Sequence, residues 1–128
     1  MKIRIPVSPG ELIDKITILE IKRSRIKEKT KLSAVIEELL QLTALTKKYS
    51  LHTGQFKILT KKLYNVNLKL WITEDKIRKK EAIKKFGGDF IKLARAVYIT
   101  NDKRSEIKNK INLLAGSSLK EIKQYTEY

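Results

Sequence analysis

LYNVNLKLWITEDKIRKKEAIKKFGGDFIKLARAVYITNDKRSEIKNKIN, residues 63–112, sets two helix-patterned segments on either side of a glycine pair, Gly87 and Gly88. Ahead of the pair, Phe56, Leu59, Leu63, Val66, Leu70, Thr73 and Ile77 recur at intervals of three and four, the spacing of one helix face. Behind it, Leu93, Val97, Ile107, Ile111 and Leu114 keep the same spacing. A helix over residues 55–86 would reach roughly 48 Å at about 1.5 Å per residue. Glycine tolerates the left-handed backbone that closes helices, so the pair is expected to end the first helix. Asp89 then caps the second, which runs to Ala115, where Gly116 stops it. Helices joined by so short a turn lie antiparallel, and the stretch predicts a long helical hairpin.

Upstream, Ser8-Pro9-Gly10-Glu11 reads as a capping box opening a helix over residues 9–29. Leu12, Ile16, Leu19 and Ile26 form its main stripe, while Ile13, Ile18 and Ile21 spread to other sides, as in a helix contacted on more than one face. Ser33 is a second N-cap, for a helix over 34–48 with Ile36, Leu39, Leu40 and Leu45 inward. Residues 49–54 form a loop. Lys2 to Val7 alternates, with Ile3, Ile5 and Val7 on one side, and predicts a short extended arm. Ser118-Leu119-Lys120-Glu121 opens a short terminal helix that packs through Leu119, Ile122 and Tyr125. No repeat or linker divides the chain. The expected fold is a single all-α domain over residues 1–128, an antiparallel helical bundle with a long central hairpin and a short N-terminal arm.

Apolar residues make up 41% and charged residues 34% of the 128, a balance that excludes disorder. The net charge of +15 favours phosphate-bearing or otherwise acidic partners. With no cysteine there is neither disulfide nor thiol chemistry, and the one histidine, His52, sits in the loop without a carboxylate pair, so no metal site is expected. No P-loop, GxGxxG, nucleophile elbow or HExxH occurs, and no cofactor is implied. The opening lacks the apolar core of a signal peptide, and no stretch approaches the roughly 20 apolar residues that span a bilayer. A cytoplasmic protein is expected.

Polar residues interrupt the hairpin's seam. Asn67, Glu74, Arg78 and Glu81 fall within about 40° of the line through Phe56 and Leu63, and Thr100 and Arg104 break the apolar series of the second helix. Folding about the glycines sets Asn67 near Lys108, Trp71 near Arg104, Glu74 near Asn101 and Arg78 near Val97. Thr17, Glu20 and Ser24 offer a third wall. One reading is a structural network that fixes helix register. The other is an anion site in which Arg78, Arg104 and Lys108, with Arg95 and Lys15 nearby, outnumber Glu74 and Glu20. A phosphate- or carboxylate-bearing small molecule or an acidic partner would fill the deficit, held by Asn67, Trp71, Glu74, Arg78, Asn101, Arg104 and Lys108. Trp71 beside Arg104 allows a cation–π contact, and Glu74 a pairing with Arg104.

The basic runs at 22–31 and 76–85 carry six Lys/Arg each against one Glu. They offer an alternative, a nucleic-acid surface centred on Arg23, Arg25 and Lys27, although aromatic residues are not interleaved with them. Anionic lipid would meet the same runs, but the sequence shows no surface helix exposing large apolar residues.

Taken together, IPVSPGELIDKITILEIK (5–22), NLKLWITEDKIRKKE (67–81), FIKLARAVYITNDKRSEIKNKIN (90–112) and SSLKEIKQYTEY (117–128) resemble an uncharacterised family of small bacterial and phage proteins, a domain of unknown function. The resemblance covers nearly the whole chain and implies a small intact helical unit, with no activity attached. ELIDKITILEIKRSR (11–25) is also similar to the first helix of all-helical chorismate mutases, in which arginines and a lysine on packed helices bind two carboxylates and catalysis is electrostatic. The later active-site positions of that family have no residue-by-residue match here.

Overall fold

The computed structural model describes residues 1–119 and 121–128. Its helices are α1 (Pro9–Arg25), α2 (Lys29–Lys48), α3 (Gly54–Ala82) and α4 (Gly88–Leu114), and no strand occurs among the described residues. Residues 1–7 carry no regular structure and lie exposed. Ser8 starts α1 as expected, its Oγ accepting from the Glu11 N–H at 3.1 Å, with Pro9 in the first turn. The Glu11 carboxylate does not close the capping box; it reaches Lys108 instead. Ile26 leaves the helix in an extended conformation, so α1 is a turn shorter than its pattern predicts. Ser33 does not cap α2, which begins at Lys29, because nothing in Lys29 to Leu32 resists helix and propagation runs back to the chain reversal.

Three helices end in one way. Ser50, Lys84 and Gly116 adopt φ of 55°, 56° and 66°, and the next residue's N–H bonds back to a carbonyl five positions earlier: Leu51 to Thr46, Lys85 to Lys80, and Ser117 to Asn112. Gly116 was the expected stop for α4. At α3 the left-handed residue is Lys84, not Gly87 or Gly88; Gly87 is the N-cap of α4 and Gly88 its first residue, so Asp89 lies within the first turn and is not the cap. No helix is assigned to 117–119 or 121–128. Ser117 Oγ bonds both the N–H and the carbonyl of Leu119, and the expected capping box includes Lys120, which lies outside the described residues.

α1 packs against all three other helices, whereas α2 packs against α1 alone. α3 and α4 run antiparallel about the turn, with Lys80 facing Asp89 and Phe86 meeting Phe90 near it. α1 lies parallel to α3, Asp14 and Thr17 at the height of Asn67, and Ile18 and Ile21 reaching the level of Leu70 and Glu74. The core is therefore at the end of the hairpin remote from its turn, where Leu12, Ile13, Ile16 and Leu19 meet Val35, Leu39, Leu59, Leu63 and Ile111. Burial of these side chains contributes about 25 cal/mol per Å² of apolar surface removed from water. Gly10 lets α1 approach α4: a Cβ there would fall 2.5 Å from the Lys108 carbonyl oxygen, and its N–H donates to Asn112 Oδ1 at 2.7 Å.

Past Arg25 no helix covers the hairpin. Glu74, Arg78 and Glu81 are exposed, as is every residue from Glu81 to Asp89. Of the polar residues in the α3 seam beyond Asn67, Thr73 is buried, whereas Glu74, Arg78 and Glu81 do not form an interior layer. Among the described residues, no helix is long and apolar enough to cross a membrane.

Candidate functional site

One stripe of α1, Gly10, Asp14, Thr17 and Ile21 at intervals of four, three and four, faces the hairpin and is buried throughout. Asp14, 3% exposed, is the carboxylate at its centre. Arg104 forks onto it, Nε donating to Oδ1 at 2.9 Å and Nη2 to Oδ2 at 2.5 Å. Asn67 Nδ2 donates both to Asp14 Oδ1 and to Thr17 Oγ1, each at 2.9 Å, and the Thr17 hydroxyl donates to the Asp14 carbonyl at 2.8 Å. One turn along α4, Lys108 is 2.6 Å from Glu11, 3.0 Å from Glu121 and 3.9 Å from Asp14. Its side chain is 6% exposed.

Charge pairing outweighs burial for each shifted group in this cluster. Hydrogen bonding to Asp14 holds the Arg104 guanidinium above its ordinary range against the cost of desolvation. Burial by itself would lower the Lys108 ammonium, but Glu11 and Glu121 hold it higher than usual. Burial would raise Glu121, yet Lys108 brings it below the usual carboxylate range.

Among the described residues, the expected surplus of buried cations is not present. Three cations, Arg104, Lys108 and Lys123, meet three carboxylates, Glu11, Asp14 and Glu121; Arg104 and Lys108 come from α4, Lys123 from the C-terminal segment, and α3 contributes the Asn67 amide. Arg78 is outside the cluster, its side chain 81% exposed and its Nε 3.8 Å from Glu74 one turn back. Glu74 pairs with Arg78 and not with Arg104, which Asp14 has taken. Thr17 belongs to the third wall as expected, whereas Ser24 is exposed and donates to the Ile21 carbonyl. Thr100 is buried, and its hydroxyl has no hydrogen-bond partner among the described residues.

Above Asp14 opens a cleft of about 390 Å³ where α1, α3 and α4 meet. Its apolar floor is Ile18, Ile21, Leu70 and Trp71, and its rim carries Asn67, Glu74, Asp75, Arg78 and Arg104. Five of the seven residues singled out in the sequence share this cleft: Asn67, Trp71, Glu74, Arg78 and Arg104. Lys108 is one turn deeper among its carboxylates. Asn101 faces another groove, lined by Val97, Tyr98 and the segment from Lys123 to Tyr128, so it does not meet Glu74. Trp71 and Arg104 border one space without a cation–π contact; those present are Lys48 on Tyr49 and Lys61 on Tyr64.

Arg23, Arg25 and Lys27 are exposed around the end of α1, with no ion pair among the described residues. His52 is exposed, its Nδ1 3.3 Å from the Thr46 carbonyl. Among the described residues no three metal-ligating side chains converge. The residues missing from the sequence reading are the carboxylates. Asp14 was legible through its spacing from Gly10, Thr17 and Ile21; Glu121 was not, since it reaches Lys108 from an irregular segment that Asn109 ties down through its side-chain amide. No family model, curated protein or solved structure matches the chain.

Proposed function

We propose that this chain binds a small molecule with a carboxylate or phosphate head and an apolar body in the cleft between α1, α3 and α4. The observation that carries the reading is the state of Arg104. Asp14 clamps one edge of its guanidinium, while Nη1 has no acceptor among the described residues and the group borders a cleft with an apolar floor. A cation already fixed in place loses little freedom when an anion arrives, which favours binding over an unconstrained surface arginine. Arg78 supplies a second cation at the rim, free to turn from its long contact with Glu74. The volume lies within the roughly 300–1,000 Å³ of small-molecule sites, and an apolar floor with few polar groups is their usual lining. Lys108 serves this site indirectly, by balancing the carboxylates beside Asp14. The cysteine-free composition accords with a reducing, cytoplasmic setting, and we read the chain as a member of the uncharacterised helical family that it resembles.

Trp71 is the sole tryptophan and lines the cleft, so its emission reports occupancy directly. In titrations with aromatic carboxylates, dicarboxylates, sugar phosphates and nucleotides, at least one class is expected to shift Trp71 emission saturably and to raise the melting temperature. Arg104→Lys, which keeps the charge on Asp14 but loses the fork, should weaken that ligand about tenfold. Arg78→Gln, at an exposed position, should weaken it less. Silence across all four classes, or equal binding by Arg104→Lys, would overturn the reading.

A further inference from the structure

The turn end of the α3–α4 hairpin stands free of the rest of the molecule. Asp14 and Thr17 lie at Asn67, so the last residue of α1, Arg25, comes level with about Arg78. The four residues of α3 beyond it, to Ala82, carry the helix roughly 6 Å past the cover of α1 at about 1.5 Å per residue, and the turn at 83–87 lies farther out. The side chains there are not those of a solvated turn. Ile83 is 59% exposed, Phe86 50% and Ile91 56%, with Phe90 half-buried and edge-on to Phe86 at 5.2 Å between ring centres. From Lys76 to Arg95 the chain carries eight Lys/Arg against two carboxylates, Glu81 and Asp89. Those two make only long pairs, 3.8 Å to Lys84 and 3.9 Å to Lys80, and Lys85, Lys92 and Arg95 have no carboxylate partner among the described residues.

We infer that this hairpin tip docks on an anionic lipid surface, Ile83, Phe86 and Ile91 entering the headgroup layer while the lysines beside them meet lipid phosphates and carboxylates. A projecting apolar cluster ringed by unpaired cations is complementary to such a surface in both respects: interfacial elements bury about 5–10 Å into the headgroup and acyl boundary, and the negative leaflet attracts juxtaposed lysine. Exposed apolar groups gathered at one projecting point mark interaction sites, where scattered ones do not. A nucleic acid would use the same lysines, but isoleucine has no flat face to stack on a base and Phe86 is engaged edge-on by Phe90. The aliphatic half of the cluster therefore favours lipid.

Flotation of the intact protein with vesicles of phosphatidylcholine alone, and of phosphatidylcholine mixed with phosphatidylserine, tests the assignment. Binding is expected to the mixed vesicles, weakened by salt, and not to the neutral ones. Ile83→Ser with Phe86→Ser should lower partitioning about tenfold or more, and Lys85→Gln with Lys92→Gln about fivefold for each lysine. Both pairs are exposed, so melting and Trp71 emission should stay as in the parent and show that the fold is intact. No binding to mixed vesicles, equal binding to neutral ones, or binding indifferent to both pairs would overturn it. So would tight binding of a single-stranded oligonucleotide that needs Lys85 and Lys92 but not Ile83 and Phe86.

Discussion

Removing the Asp14 carboxylate would strand Arg104, which loses both of its hydrogen bonds, while Lys108 keeps Glu11 and Glu121. Breaking a buried pair in this way costs about 3–5 kcal/mol, so Asp14→Ala is expected to lower the urea midpoint by an amount in that range. Asp14→Leu combined with Arg104→Met should recover a large part of the loss, since two apolar residues leave no unpaired charge. Sequence reading found Arg104 and Asn67 because they interrupt an otherwise apolar series. It left Asp14 outside the proposed site because the main α1 stripe runs through Leu12, Ile16, Leu19 and Ile26, while the helix is buried on a second side, Gly10–Asp14–Thr17, that spacing also describes. The presence of small and polar residues at that spacing was the available signal, and Gly10 explains it: close approach to α4 leaves no room for a Cβ.

At the level of the helices, the ends were read less well than the faces. The left-handed closure of α3 falls on Lys84, where a side chain costs about 1–2 kcal/mol relative to an unstrained backbone. Lys84→Gly is therefore expected to stabilise the protein by about 1 kcal/mol, seen as a higher urea midpoint with an unchanged slope, whereas an alanine in its place should do little. A glycine pair three residues on is a strong punctuation mark, and the pattern assigned it the closure that hydrogen bonding gives to Lys84. Gly116, with no competitor nearby, was placed correctly. The boundary between α1 and α2 carried no such mark, and the chain reverses at Ile26 to Glu28 without a side-chain cap.

Across the whole molecule, the ion cluster sets a pH window. Glu121 titrates below its usual 4.5 in the folded state, so its contribution is present above that value and is lost as pH falls through the lower folded one. Lys108 titrates above its usual 10.5, so its contribution is complete below that value and is lost as pH rises through the higher folded one. Urea stability measured against pH should show a plateau between these limits, and Glu121→Gln should flatten the acid limb and, because Glu121 helps to hold Lys108 up, reduce the alkaline one as well. The all-helical class was legible because periodicity is local. The height at which α1 stops covering the hairpin was not, because the seam on α3 keeps its spacing past Asn67 whether or not anything lies over it. Glu74, Arg78 and Glu81 therefore looked interior from their spacing and are exposed.

The contacts that seat α1 are also among the most distant of the described residues, 90 residues apart for Asp14 with Arg104 and 102 for Gly10 with Asn112. During synthesis α1 leaves the ribosome before any of its hairpin partners exist. At about 5–20 residues per second it waits several seconds, joined first by α2 and then by α3, until α4 has followed. Loop-closure entropy then makes its docking the late step of folding, and a nascent chain stalled before Arg104 would display the apolar faces of α1 and α3 without the helix that joins them.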